Sequence, residues 1–213
     1  PQGNSTSGYG ISKRSVQNSV YQLLIGEAPA TDCILKTKSR VALLPSNIQL
    51  SGAGIELVTL DRREARLREG LAPVLKNYDF VFIDCPPSLE LLTVNALAAA
   101  DSVLIPVQCE YYALEGIADL MTTIKLTKKR LNPSLEIQGI VLTMYDSRTN
   151  FSEQVAAEVE KFFGTSVYKT RIPRNVRIAE APSHGEPVIK YDRISKGSRA
   201  YLHLADEFLR REE

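Results

Sequence analysis

The sequence predicts an α/β protein with a doubly wound, mostly parallel sheet flanked by helices. Three observations lead there. Short, nearly continuous apolar runs recur at 41–44, 80–83, 103–105 and 140–142, the pattern of strands buried on both faces. Amphipathic helical patterns lie between them, and such alternation implies right-handed β-α-β crossovers, with ligands at the carboxyl ends of the strands. With 213 residues, 44% of them hydrophobic and 24% charged, the chain can bury the core of one domain spanning 1–213. No repeat, low-complexity tract or linker divides it.

Each helix is marked by a stripe. Leu67, Leu71, Val74 and Leu75 form the first, Leu114, Ile117, Leu120, Met121 and Ile124 the second, and Phe151, Val155, Val159 and Phe162 the third; each is read as a core-facing surface. Stops agree: Gly26 follows Leu23-Leu24-Ile25, Asn132-Pro133 ends the second helix, and Gly164 follows Phe162-Phe163. Pro73 predicts a kink or split in its helix. In the tail, Leu202, Leu204, Ala205, Phe208 and Leu209 form a stripe before Arg210-Arg211-Glu212-Glu213, which suits docking on the domain better than insertion in lipid. Tyr111 and Tyr112 fit either core or a dimer interface.

Composition excludes several classes. A formal net charge of +1 gives no global field, so an acidic partner must be met by a local patch. Cys33, Cys85 and Cys109 lack C-x-x-C spacing, which argues for reduced thiols against a disulfide framework or structural zinc. No apolar run approaches the ~18–20 residues that span a bilayer, and no signal-like segment opens the chain, so a cytoplasmic protein is expected. His184 and His203 are isolated from any nucleophile or ligand set.

The strongest local signal is Phe80-Val81-Phe82-Ile83-Asp84, four apolar residues delivering a carboxylate at a strand end. An acid in this place suits magnesium that bridges nucleotide phosphates; the pattern alone is more simply an aspartate that ends a strand and caps the next turn. Cys85-Pro86-Pro87-Ser88 then fixes a stiff extended turn before a helix near Leu89. No G-x-x-x-x-G-K-[ST] phosphate loop is present: Lys196-Gly197-Ser198 has reversed order and Gly185-Glu186-Pro187 lacks the lysine. Between Lys169 and Arg199, eight basic residues face only Glu180, Glu186 and Asp192, a local +5 that fits either phosphate-backbone contact or a solvated surface. Lys125, Lys128, Lys129 and Arg130 are read as structural, since cations favour a helix carboxyl end.

Six ordered segments together resemble the ParA/Soj partition ATPases of the deviant Walker A group, which includes MinD. They are Pro1-Gln2-Gly3-Asn4-Ser5-Thr6, Ile83-Asp84-Cys85-Pro86-Pro87-Ser88, Val94-Asn95-Ala96-Leu97, the run 106–116, Thr143-Met144-Tyr145-Asp146 and Ile172-Pro173-Arg174-Asn175-Val176-Arg177. The resemblance covers nearly the whole chain. It implies a P-loop NTPase-like fold whose first β-α-β unit, carrying the phosphate loop and an aspartate that organises the attacking water, would precede Pro1. The expectation is therefore an N-terminally truncated ATPase, inactive as given.

The resemblance also implies roles. Asp84 would reach magnesium through a water and serve as the catalytic acid; Met144 and the loop Pro173, Arg174 and Asn175 would close on the adenine of ATP. Arg148 and Arg177 would contact non-specific DNA, with Lys190, Lys196 and Arg199 as weaker candidates. The protein would act as an ATP-dependent homodimer on the nucleoid, with a ParB-type partner that stimulates hydrolysis. Rival readings are a MinD-like membrane switch, a metal-bridged relative of the nitrogenase iron protein using Cys85 or Cys109, and a binding module without enzyme activity.

Overall fold

The computed structural model describes residues 1–110 and 113–213, without the side chains of 113–115. The expectations for Tyr111, Tyr112 and the Leu114 side chain lie outside the described residues. The chain forms two compact units: Pro1–Asp101, Ile124–Leu135 and Pro182–Glu186 make the first, and Ser102–Thr123, Glu136–Ala181 and Pro187–Glu213 the second.

The first unit contains α1 (Asn4–Gly8), α2 (Val20–Ile25), α3 (Ala30–Cys33), a two-stranded antiparallel ribbon of β1 (Leu35–Lys36) and β2 (Ala42–Leu43), α4 (Ala53–Leu57), α5 (Arg66–Leu71) and α6 (Leu91–Ala99). A capping box starts α2. The Ser19 hydroxyl accepts from the Tyr21 N–H at 3.1 Å, and Gln22 Oε1 accepts from the Ser19 N–H at 2.9 Å. Gly26, at φ 85°, ends the helix as its position predicts. Leu23, Leu24, Leu57, Leu67, Leu71 and Val74 pack into one core, each worth about 1.5–3 kcal/mol on burial. Pro73 ends α5, so Leu75 leaves the stripe and is 41% exposed.

Two strand expectations in this unit change. The run 41–44 gives only β2, antiparallel to β1, because Arg40 at φ 63° turns the chain back at once and Thr37 donates its N–H to the Val41 carbonyl at 3.1 Å. The run 80–83 forms no regular strand. Phe80, Val81 and Phe82 are 46%, 46% and 70% exposed, whereas a strand of this composition is stable only when both faces are covered. Ile83 alone reaches the core.

The second unit is built on β3 (Ser102–Gln108) and β4 (Glu136–Thr143), paired in parallel from Ser102↔Glu136 to Gln108↔Thr143. Isolated parallel bridges Ile140↔Val167 and Tyr145↔Pro173 continue the sheet beyond β4. The unit also holds α8 (Asn150–Phe163), α9 (Val176–Glu180), α10 (Val188–Tyr191), α11 (Lys196–Glu212) and α7 (Ala113–Arg130) as far as Thr123, the rest of α7 from Ile124 belonging to the first unit. The apolar runs, the parallel ladder and the helix between its strands follow the alternation. α7 stops before Asn132-Pro133 with Lys128, Lys129 and Arg130 in its last turn, and Gly164 caps α8.

The stripes of α8 and α11 are narrower than their periodicity suggests. Val155 and Val159 are buried, but Phe151 and Phe162 at the helix ends are 42% and 73% exposed. In α11 the inward residues are Ala200, Leu204 and Phe208, packed on Val141, Tyr168 and Ile172; Leu202 and Leu209 face outward at 43% and 49%. The 200-204-208 spacing is one helix face, and 202-209 lies on another. Gly139 lets this layer close, since a Cβ there would come within 2.5 Å of the Tyr168 ring. Arg211 then covers the same ring at 3.9 Å.

Candidate functional site

Asp84 belongs to the first unit and the remaining candidate residues to the second. Asp84 is exposed and accepts a 2.5 Å hydrogen bond from the Ser5 hydroxyl. Ser5 stands in α1, whose entry is fixed from both sides. Gly3 adopts φ 62°, and a Cβ on it would come within 2.6 Å of the Ser46 carbonyl oxygen, so a glycine is required. Thr6, buried, donates to that carbonyl and accepts from the Ser46 N–H, both at 2.9 Å. The Pro-Gln-Gly-Asn segment thereby carries Ser5 to the carboxylate. Sequence reasoning missed Ser5; its place in the Pro1–Thr6 motif was the available signal.

The thiol of Cys85, next in the chain, is pushed up to about 11 by desolvation and by the negative charge of Asp84. It is therefore a neutral thiol near pH 7. Among the described residues no three His, Cys, Asp or Glu side chains cluster as a metal cage. An exposed carboxylate with one hydroxyl beside it offers hard oxygen donors but not a full set. That suits magnesium, which keeps waters and phosphate oxygens in its shell.

Asn95 of the Val94–Leu97 segment has a different task. It is buried in α6, where its Oδ1 accepts from the Leu67 N–H at 3.1 Å and its Nδ2 donates to the Arg63 and Leu91 carbonyls at 2.8 and 3.0 Å. It closes the first turn of α5 from outside, where no intrahelical acceptor exists.

In the second unit, Met144 ends the β4 region at φ 53°, a left-handed conformation that costs a non-glycine residue of order 1–3 kcal/mol. The next residue absorbs the turn. The Tyr145 N–H donates to the Ile172 carbonyl at 3.0 Å and its carbonyl accepts from the Arg174 N–H at 3.1 Å. Met144 and the Pro173, Arg174 and Asn175 loop are thus brought together at one end of the sheet. Asn175 caps α9 by accepting from the Arg177 N–H at 2.9 Å, and Arg174 pairs with Glu110 at 2.8 Å. Behind them the Tyr145 hydroxyl donates to Glu153, and Arg171 lies 4.7 Å from the Tyr145 ring centroid while pairing with Glu153 and Glu160.

The basic candidates divide. Lys196 and Arg199 share a groove of about 860 Å³ with Lys169, Arg171, Arg210 and Arg211, where Asp206 and Glu207 supply the opposing charge. Arg148, Arg177 and Lys190 do not line it. Arg177 pairs with Glu180 at 2.8 Å and Asp192 at 3.3 Å. Arg148 is 86% exposed and pairs with Asp146, whose carboxyl its hydrogen bonds hold well below the usual range. Lys190 is exposed.

A parallel β-α-β layer in one unit and, in the other, a carboxylate ahead of a Pro-Pro turn are features of a nucleotide-binding α/β class, and a family model described as an AAA domain matches residues 1–137. Solved structures share the fold. The crystal structure of cobyrinic acid a,c-diamide synthase from Mycobacterium smegmatis with bound ADP and magnesium superposes with a TM-score of 0.85 at 35% identity, over 99% of this chain and 78% of that one. The Pyrococcus furiosus cell division ATPase MinD gives 0.77 at 25% identity, over 97% and 81%. The sporulation initiation inhibitor protein Soj of Bacillus subtilis (strain 168) is 55% identical over 208 residues, 97% of this chain and 82% of Soj. The chain belongs to the Soj/ParA family of chromosome-partitioning ATPases.

Proposed function

We propose that this chain is the nucleotide- and DNA-responsive part of a ParA-type partition ATPase. ATP drives two copies together, the dimer binds DNA without sequence preference, and a ParB-type partner stimulates hydrolysis to ADP and phosphate, which releases the DNA. The observation that carries the reading is 55% identity to Soj across nearly the whole chain. Asp84 is the acid that would hold magnesium, through a water, and the metal would supply positive charge at the ATP phosphates. Met144 with Pro173, Arg174 and Asn175 closes on the adenine. These 213 residues contain no phosphate loop, so by themselves they hydrolyse no ATP.

Arg148 and Arg177 make the principal phosphate contacts, and Lys190, Lys196 and Arg199 extend them. A single copy offers few such contacts; a dimer offers two sets at once, which is how nucleotide state becomes DNA affinity. The protein then resides in the cytoplasm on the nucleoid. Two observations disfavour the MinD-like alternative: the lower identity of 25% to that fold neighbour, and the packing of Ala200, Leu204 and Phe208 of α11 on the chain's own core, which leaves that face unavailable to lipid. No helix among the described residues is long and apolar enough to cross a membrane.

The test is DNA retention by the full-length protein with ATP. Arg177→Glu is expected to abolish DNA binding while ATP-dependent dimerisation persists by light scattering. Undiminished binding by that variant would remove Arg177 from the interface.

A further inference from the structure

Arg148 lies far out in solvent, yet it is tightly tethered. Asp146 Oδ1 accepts from the Arg148 Nε–H at 2.9 Å and from its backbone N–H at 3.0 Å, and Oδ2 accepts from Nη2 at 2.7 Å. The acid is itself anchored. Its carbonyl accepts from the Thr149 N–H at 3.1 Å and the Thr149 hydroxyl at 3.0 Å, and that hydroxyl caps α8 through the Ser152 N–H at 3.3 Å. Asp146 is 21% exposed against 86% for Arg148, so the acid is the fixed partner and the arginine the presented one.

We propose that Asp146 is a positioning residue for DNA: it holds the Arg148 guanidinium extended from the α8 cap, so that a phosphate meets a preformed donor. This rests on the assignment of Arg148 to DNA. A guanidinium has five N–H donors; the carboxylate fork engages two, leaving three for a phosphate.

Two effects oppose. The Asp146 charge repels a phosphate held roughly 6 Å away, but in water with a screening length of about 8 Å this lowers affinity less than about twofold. Against it stands the rotamer freedom of a long arginine, worth up to about thirtyfold when wholly lost on contact. The fork has removed part of that freedom before DNA arrives, so positioning prevails over repulsion. An ion pair this exposed adds little to stability, and its removal leaves the fold in place.

The test uses the full-length protein with ATP and duplex DNA, with affinity measured by fluorescence anisotropy over a salt series. Asp146→Asn is expected to weaken binding about three- to tenfold with an unchanged slope of log K against log salt, because the Arg148 charge remains. Arg148→Ala weakens binding and lowers the slope by about 0.9 per contact, and the double variant binds no more weakly than Arg148→Ala. Asp146→Ser, which keeps a hydroxyl for the turn without the fork, should match Asp146→Asn and serves if the amide disturbs folding. Removing a negative charge should by itself tighten binding, so a loss reports positioning. Parental or tighter binding by both Asp146 variants, with Arg148→Ala impaired, overturns the inference alone. Parental binding by Arg148→Ala overturns the DNA assignment and the inference with it.

Discussion

Asn95→Leu removes a polar side chain that is 1% exposed and replaces it with an apolar one of similar size. The substitution leaves the Leu67 N–H, held at 3.1 Å by Asn95 Oδ1, and the Arg63 carbonyl, held at 2.8 Å by its Nδ2, without these partners. Leu67 lies in the first turn of α5, where the helix supplies no acceptor. Each orphaned group costs about 1–3 kcal/mol, and the added apolar burial returns about 1 kcal/mol. The net loss is about 1–5 kcal/mol. For a chain of this length that corresponds to a fall in Tm of roughly 2–20 °C. Thermal and urea unfolding of parent and variant measure it, with Asn95→Ser, which keeps an acceptor, falling between. A loss below about 0.5 kcal/mol would refute the idea that this side chain ties α6 to α5.

Two further changes probe the same frame. Gly3→Ala must place a Cβ within 2.6 Å of the Ser46 carbonyl at a φ of 62°; a destabilisation of about 2 kcal/mol or more is expected in urea unfolding, and a neutral outcome would contradict the observed close approach. Burial pushes the Glu207 carboxyl up, but the Lys169 and Thr170 N–H groups and Arg211 outweigh it and hold it below 4.5. Its stabilisation is thus complete above the unfolded value and lost as pH falls through the lower folded one. The Tm gap between parent and Glu207→Gln should be constant above about pH 5 and close toward pH 3; a gap unchanged at pH 3 would exclude this linkage.

The fold was legible where periodicity and punctuation agreed. The runs 103–105 and 140–142 sit inside β3 and β4, and Gly26, Pro73 and Gly164 end helices where their backbone chemistry requires. It was not legible where the outcome depended on what lies across from a run. The 80–83 segment has strand composition, but composition does not state whether its faces are covered. Phe151, Phe162, Leu202 and Leu209 carry the helical period, yet the partner layer is narrower than the stripe. For the site, Asp84, Met144 and the 173–175 loop were marked by motif. Ser5 and Asp146 lay within quoted motifs without being singled out, because their significance is a distance to another side chain: 2.5 Å to Asp84 for one, and 2.7 Å to Arg148 for the other. An aspartate two residues before an arginine, ahead of a threonine-capped helix, is a signal that could have found Asp146.

The central claim is that nucleotide state sets DNA affinity. It is tested most directly by binding of the full-length protein to two duplexes of unrelated sequence, with ATP or ADP, over a salt series. The account predicts that both duplexes bind alike with ATP, that affinity falls steeply and linearly in log salt, and that ADP weakens binding by an order of magnitude or more. Equal binding with ATP and ADP, or preference for one duplex, would contradict it.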